Sequence, residues 1–175
     1  MKRKNLLRVV LVVFWVVGIA VPATVFGANV NDAVKKKVEN LWKPIKESQP
    51  HVTAVEFKTV HDGQGDFVLI DIRTKAEYDA AHIPGAIHVD RGLLEWVAPK
   101  KITRPGQAIY VYCRTGARGA FATQRLTEMG YSNVVNIYDA FKGWVLAGYP
   151  VYNRHGKFIL NPDSFEQKEP EKSLQ

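Results

Sequence analysis

The chain contains a single cysteine, Cys113, among its 175 residues. An intrachain disulfide is therefore excluded. The sequence also lacks the spaced cluster of cysteine and histidine residues that binds structural zinc, so we predict no metal site. These absences leave Cys113 as a lone thiol, whose role is either to fill a buried position or to react.

Basic patches of the kind that bind nucleic acids are also absent. The net charge is +7, but residues 1–28 contain no acidic residue and supply +4 of it, which leaves +3 for residues 29–175. That remainder has no run of lysine and arginine interleaved with aromatic residues. Such a run is the usual electrostatic mark of nucleic-acid-binding proteins, so we predict no nucleic-acid partner.

The first 28 residues resemble a targeting segment. Four basic residues lie within residues 1–8, and the next 18 residues, 9–26, carry no charge. This order is typical of an export signal, with cleavage favoured after Gly27. The uncharged stretch is also close to the minimum length for an uncleaved membrane anchor, which stays open. In both cases we expect an exported, periplasmic or other extracytoplasmic domain, whose membrane contact is limited to residues 9–26 if they are retained.

Apolar patterning divides the rest of the chain into three parts. Residues 29–49 have helical spacing and are predicted as a helical lead-in that ends near Pro44 and Pro50. Residues 50–152 form the main domain, and residues 153–175 a C-terminal tail, extended or disordered from about Asn161. Within the main domain, short apolar runs predict strands and helical spacing predicts helices. The predicted strands are residues 67–72, 86–89, 109–112 and 134–137, and the predicted helices begin near residues 53, 74, 120 and 141. This alternation predicts an α/β domain with three layers, in which helices flank a mostly parallel central sheet.

The segment Cys113-Arg114-Thr115-Gly116-Ala117-Arg118-Gly119 joins a predicted buried strand to a helix. Ligands of open parallel sheets bind at the carboxyl ends of the strands, and helix N-termini favour anions. The glycines allow the backbone amides to curve around an anion, and two guanidinium groups add positive charge. These features stabilise a thiolate, so we predict Cys113 as a catalytic nucleophile. The predicted substrate-binding residues are Arg114, Thr115, Gly116, Ala117, Arg118 and Gly119.

Asp71 and Arg73 follow a predicted strand at the same edge of the sheet. One interpretation is that Arg73 contributes positive charge to substrate binding while Asp71 supports the site by orienting loop groups. The alternative is that Arg73 forms a structural ion pair with Glu77 or Asp79.

Several motifs together resemble the single-domain rhodaneses. They are Asp71-Ile72-Arg73, Glu77-Tyr78, residues 82–86 (HIPGA), residues 113–118 (CRTGAR), Gly143-Trp144 and residues 148–151 (GYPV). The resemblance covers about residues 50–152 and implies a sulfurtransferase of the thiosulfate type. It implies that Cys113 takes sulfur from a small donor and passes it to a thiol or cyanide, with no metal or organic cofactor. Two departures stand out: Asp139-Ala140 replace the usual Gly-Gly, and Gly119 replaces a frequent serine, which removes a helix-cap hydroxyl.

Loop length separates this chemistry from that of phosphatases with a related fold. Those enzymes use Cys-x5-Arg, whereas here Arg118 follows Cys113 after four residues. The shorter loop suits one sulfur atom attached to the cysteine, so phosphatase or arsenate reductase activity is the less favoured interpretation. A sulfur-carrier module, which holds sulfur for a protein partner without turnover, is a further alternative.

Overall fold

A computed structural model describes residues 30–165 of the chain. The predicted export segment, residues 1–28, lies outside this range. Within residues 30–165, no helix is both long enough and apolar enough to span a membrane.

Six helices and seven strands alternate along the described part of the chain. The helices are α1 (Val30–Ser48), α2 (Ala54–Asp62), α3 (Lys75–Ala80), α4 (Leu94–Lys101), α5 (Ala117–Glu128) and α6 (Ala140–Leu146). The strands are β1 (His51–Val52), β2 (Phe67–Asp71), β3 (Ile87–His88), β4 (Ala108–Tyr112), β5 (Val134–Ile137), β6 (Val151–Asn153) and β7 (Gly156–Phe158). Single 3₁₀ turns precede α4 and follow β7.

The central sheet has five parallel strands in the order β1-β5-β4-β2-β3. Successive residues of a strand point to opposite faces, and the core divides accordingly. Leu69 and Tyr112 pack with Trp144 on one face, whereas Ile70 and Val111 pack with Leu126 on the other. The three-layer α/β architecture predicted from the sequence is confirmed.

Local sequence signals fix several element ends as predicted. Thr53 and Thr74 are N-caps of α2 and α3, and each forms a capping box with a glutamate three residues later. Each box satisfies two helix-end amides that would otherwise lack partners. Gly130, which follows α5, has the expected left-handed backbone, with φ at 99°.

Other boundaries differ from the predictions. Helix α5 begins at Ala117 instead of Ala120, so Arg118 and Gly119 belong to its first turn. Pro44 lies inside α1 instead of ending it. Helix α4 was not predicted, because Pro99 lies within it and few of its apolar residues are periodic.

The C-terminal boundary also differs, because the ordered domain continues past residue 152. Strand β6 pairs with β7 in an antiparallel hairpin, and Leu160 packs against the core. The hairpin is held to the domain at residue 82, where the backbones of His82 and Tyr152 exchange two hydrogen bonds of 2.9 Å each. Residues assigned to a tail therefore contribute to the folded domain.

Candidate active site

Cys113 lies at the carboxyl end of β4, the central strand of the sheet. It follows β4 directly, and the preceding residue, Tyr112, is in register with Asp71 at the end of β2. The cysteine residue is 1 % exposed. Residues 113–116, which we call the Cys113 loop, connect β4 to α5 in only four residues. The sequence therefore places its single thiol where parallel sheets bind ligands.

The four carbonyl groups of the Cys113 loop all accept hydrogen bonds from surrounding elements. The first two accept from backbone amides in the first turn of α6: Phe141 donates to Cys113 O at 3.1 Å and Lys142 to Arg114 O at 2.9 Å. The Lys46 ammonium donates to Thr115 O at 3.0 Å. Gly116 O accepts from the Ala120 amide at 2.9 Å and from the Asn136 side chain at 3.3 Å. Each bond fixes the orientation of one peptide group in the loop.

The Cys113 sulfur accepts a hydrogen bond from within its own loop. The Gly116 amide donates to Sγ at 3.2 Å. Gly116 caps α5 with φ at 90°, a left-handed conformation that other residues rarely adopt. A donor amide at the N-terminus of a twelve-residue helix favours negative charge on the sulfur.

Arg118 lies near the sulfur but is paired with an acid from α3. Its guanidinium forms two hydrogen bonds with Glu77, at 3.1 and 3.2 Å. The Glu77 hydrogen bond is the main reason why the pKa of Arg118 lies above its ordinary value, and the nearby Cys113 contributes in the same direction against burial. Burial opposes ionisation of Glu77, but Arg118 and the Thr74 cap together lower its pKa from 4.5 to about 2. Glu77 thus holds Arg118 in place beside the loop.

Arg73 and Asp71 form a buried pair of their own, which corrects the predicted partners. Arg73 donates to Asp71 with a shortest distance of 2.6 Å, and it also donates to Ala81 O at 2.6 Å. Its guanidinium carbon lies 4.0 Å from the centre of the Phe141 ring. Glu77 and Asp79 bond other cations. The Asp71 carboxylate accepts hydrogen bonds from the backbone amide and the guanidinium of Arg73, so it supports the strand edge through that arginine. A role of Asp71 in orienting loop groups stays a prediction.

A cavity of about 270 Å³ opens beside the Cys113 loop. Arg73, Arg114 and Glu77 supply its polar lining, and the remaining lining residues are apolar. These apolar residues are Ala80, Ala81, Phe141 and Leu160. Among the predicted substrate-binding residues, Arg114 and Arg73 therefore share one opening, while Gly116 and Arg118 lie close to the sulfur.

The remaining predicted loop residues have other surroundings. Thr115 is exposed and lines a second cavity, of about 550 Å³, with Lys46 and Tyr138. Ala117 is half-buried in the first turn of α5. Gly119 is buried where an added methyl group would overlap the side-chain oxygen of Asn136. The sequence predicted that Gly119 removes a hydroxyl group that would cap α5. In the structure residue 119 is not the cap of α5: the cap is Gly116, and the Asn136 side chain occupies the space beside Gly119.

The Asp139-Ala140 departure lies next to the site and has a compensating contact. Ala140 has φ at 54°, which is strained for a residue with a side chain. The Asp139 side chain accepts a hydrogen bond of 2.6 Å from the Ala54 amide at the start of α2. This bond fixes the turn from which the α6 amides reach the Cys113 loop.

Sequence reasoning missed four residues that surround the loop: Lys46, Glu77, Asn136 and Leu160. Lys46 is 8 % exposed, although it belongs to a helix that is otherwise rich in exposed lysines. Its position one turn after the half-buried Trp42 was the available signal for an inward face. Glu77 was considered as a partner of Arg73 and as part of a family motif, but not as the residue that holds Arg118.

The fold and the site define an α/β domain with a cysteine loop between a central strand and a helix. The family profile described as Rhodanese-like domain matches residues 53–147. This match covers more than half of the chain, and the chain belongs to the rhodanese-like family of sulfurtransferases and sulfur carriers.

Two curated members of this family are similar to the chain at about 29 % sequence identity. The Saccharomyces cerevisiae thiosulfate:glutathione sulfurtransferase is 29 % identical over 131 residues, which cover 65 % of this chain and 94 % of that protein. Bacillus subtilis YrkF, whose name proposes a sulfur-carrier role, is 29 % identical over 97 residues, which cover 55 % of this chain and 51 % of that protein. The chain thus spans about half of the Bacillus subtilis relative and about a quarter of two other curated relatives.

A solved structure agrees on the fold. The polysulfide-sulfur transferase homodimer of Wolinella succinogenes superimposes with a TM-score of 0.61 at 24 % identity, covering 73 % of this chain and 95 % of that chain. At this level of identity the likeness establishes the fold alone.

Proposed function

We propose that the protein is a sulfurtransferase that carries sulfane sulfur as a persulfide on Cys113. The observation that supports this most directly is the hydrogen bond from the Gly116 amide to Sγ inside a four-residue loop. A positively charged and amide-lined setting of this kind favours the thiolate and an anionic sulfur attached to it. Thiosulfate is the donor we propose, as implied by the motif resemblance.

The proposed cycle balances without any cofactor. The Cys113 thiolate attacks the outer sulfur of thiosulfate, a new S–S bond forms, and the S–S bond of thiosulfate breaks so that its electron pair leaves with sulfite. Cyanide or a thiolate then attacks the terminal persulfide sulfur. The bond to Sγ breaks, its electron pair returns to Cys113, and thiocyanate or a new persulfide is released.

The cavity beside the loop suits an anionic donor. Arg114 is exposed at its edge, and Arg73 lies in its lining with its charge balanced by Asp71. Because Arg114 is exposed to solution at the cavity edge, it is the candidate to meet the sulfonate oxygens, whereas the buried Arg73 shapes the opening. The apolar lining leaves room for the organic part of a persulfide donor, which the same chemistry would accept.

The test uses the full chain, purified in mild detergent, with thiosulfate and cyanide. We expect thiocyanate to form, and we expect Cys113→Ser to reduce its formation to background. Intact mass spectrometry of the protein with thiosulfate alone should show a gain of about 32 Da, one sulfur atom, in the wild type and not in the variant. Arg104→Gln is a suitable control, because Arg104 pairs with Asp66 at an exposed position away from the loop.

Three results are informative. Turnover with a Cys113-dependent adduct supports the sulfurtransferase. An adduct without turnover on either acceptor supports the sulfur-carrier alternative, to which the name of the Bacillus subtilis relative also points. The absence of both an adduct and turnover, with thiosulfate and with an organic persulfide as donor, contradicts the proposal.

A further inference from the structure

Lys46 reaches the Cys113 loop from a helix that precedes the family domain. The family profile begins at residue 53, whereas α1 ends at Ser48. Helix α1 packs against α5, and this contact brings Lys46 under the loop. The lysine is 8 % exposed, in contrast to its exposed neighbours Lys43 and Glu47.

Burial of a lysine requires compensation, and here the compensation comes from the site. The ammonium donates to Thr115 O at 3.0 Å and lies 3.8 Å from the centre of the Tyr138 ring. Burial lowers the pKa of Lys46, while the negative charges of Cys113 and Asp139 act in the opposite direction. An isolated buried ammonium would be costly, so these partners explain why this lysine is retained inside.

The carbonyl that Lys46 binds belongs to the peptide group that contacts the sulfur. In a trans peptide, the carbonyl of residue 115 and the amide of residue 116 point in opposite directions. Lys46 holds the oxygen at one end, and the nitrogen at the other end donates to Sγ at 3.2 Å. A cation on the carbonyl polarises the peptide group and strengthens the amide as a donor.

We infer that Lys46 is a positioning residue of the sulfur site, which orients the Thr115–Gly116 peptide toward the Cys113 sulfur and adds positive charge behind it. The inference deepens the proposed function and rests on it for its kinetic consequences. It also makes α1 part of the site, so that the domain matched by the family profile is incomplete without this helix.

Thiolate reactivity tests the inference without requiring sulfur transfer. In the full chain, Lys46→Met removes both the hydrogen bond and the charge, Lys46→Gln keeps a donor without the charge, and Lys46→Arg keeps both. We expect Lys46→Met to slow alkylation of Cys113 by iodoacetamide at neutral pH about five- to ten-fold, as one partly buried charge would. Lys46→Gln should be intermediate, and Lys46→Arg should recover at least half of the wild-type rate.

The pH dependence of alkylation distinguishes this role from simple packing. The charged groups around the loop are Lys46 on α1, Arg114 in the loop, Arg118 on α5, Glu77 on α3, and Asp139 and Lys142 at the start of α6. The difference between wild type and Lys46→Met should disappear in strongly alkaline solution, where cysteine thiols are ionised whatever their surroundings. Lys43→Met, which changes an exposed residue of the same helix, is the control: its Cys113 should be alkylated at the wild-type rate at every pH.

Sulfur-transfer kinetics provide the second readout. Lys46→Met should lower kcat for thiocyanate formation more than it raises KM, because the residue acts on the nucleophile and not on the donor. If the wild type forms no thiocyanate, the proposed function fails while the alkylation comparison still tests Lys46. Two results would overturn the inference. One is that folded Lys46→Met and Lys46→Gln are alkylated at the wild-type rate, and the other is that Lys46→Arg is alkylated as slowly as Lys46→Met. If Lys46→Met does not fold, the comparison of Lys46→Gln with Lys46→Arg decides in the same way.

Discussion

Gly116 determines the shape of the Cys113 loop through two independent constraints. Its φ of 90° lies in the left-handed region, and an added side chain would overlap the carbonyl oxygen of Tyr138. The same residue supplies the amide that donates to the sulfur and the carbonyl that binds Asn136. Conformation and packing therefore both require glycine at this position, and the backbone of this glycine carries the contact with the sulfur.

We predict that Gly116→Ala lowers the free energy of unfolding by about 3 kcal/mol or more. The left-handed conformation costs about 1–2 kcal/mol for alanine, and the overlap with Tyr138 adds a cost of similar size. Gly130→Ala is the matched control, because Gly130 has φ at 99° but open space around it, and it should cost about 1–2 kcal/mol. Urea unfolding monitored by tryptophan fluorescence measures both. If both substitutions lowered the free energy of unfolding equally, the overlap with Tyr138 would be removed by a shift of the surrounding residues, and the prediction would be wrong.

At the scale of elements, the start of α3 has two roles. Glu77 closes the capping box with Thr74, and the same carboxylate holds Arg118 at the start of α5. One side chain thereby couples the N-terminus of a six-residue helix to the helix that carries the cysteine loop. An equivalent box at Thr53 on α2 lacks an arginine partner within the described residues, which makes it a natural comparison.

We predict that the Glu77 interactions produce a loss of stability in acid. The folded-state pKa of about 2 lies below the ordinary 4.5, so this contribution is complete above about pH 4.5 and is lost as the pH falls toward 2. Its size is on the order of 1 kcal/mol, because both side chains are partly exposed and solvent screens the pair. Glu77→Gln should be less stable than wild type at neutral pH, and the difference should shrink below about pH 4. Urea unfolding over this range measures it.

Glu56→Gln is the control for this prediction. Glu56 is fully exposed, and its pKa is also lowered, first by the Thr53 backbone hydrogen bond and then by the Thr53 side chain. Its substitution should cause a smaller pH-dependent loss than that of Glu77. A larger effect at Glu56 would mean that the cap and not Arg118 accounts for the acid sensitivity.

At the scale of the whole molecule, segments on both sides of the family domain complete the site. Helix α1 brings Lys46 under the loop, and the chain after β7 brings Leu160 to the cavity that Arg114 lines. Neither residue belongs to residues 53–147, which match the family profile. Export of the protein through residues 1–28 stays a prediction.

We predict that Leu160→Ala weakens donor binding without affecting the cysteine. Loss of the partly buried side chain widens the cavity, and KM for the sulfur donor should rise about three- to ten-fold, the equivalent of removing a small apolar contact. Ile159→Ala is the matched control, because Ile159 is 67 % exposed and is absent from the cavity lining. Steady-state kinetics and iodoacetamide alkylation together test this. An unchanged KM in Leu160→Ala, or an equal rise in Ile159→Ala, would contradict it.

Much of this fold follows from local rules that act within a few residues. Apolar runs gave the central strands, and the Thr-x-x-Glu spacing gave the starts of α2 and α3, because capping satisfies amides that are close in sequence. The position of Cys113 between a strand and a helix was also readable, since a strand of five residues and a glycine loop are local features. By contrast, the start of α5 at Ala117 places Gly119 against Asn136, where a larger residue would not fit, and this contact between distant residues is visible only in the packed structure.

The sequence by itself determined the α/β alternation, the family motifs and the single thiol at a strand end. Only the tertiary structure decided which charges meet at that thiol. Arg73 bonds Asp71, Arg118 bonds Glu77, and Lys46 bonds the loop across 69 residues of sequence. The physical reason is that local propensity fixes where elements begin and end, whereas the pairing of long, flexible charged side chains depends on which elements pack together. The setting of Cys113 is thus a property of the packed molecule, in which α1 and the C-terminal hairpin take part.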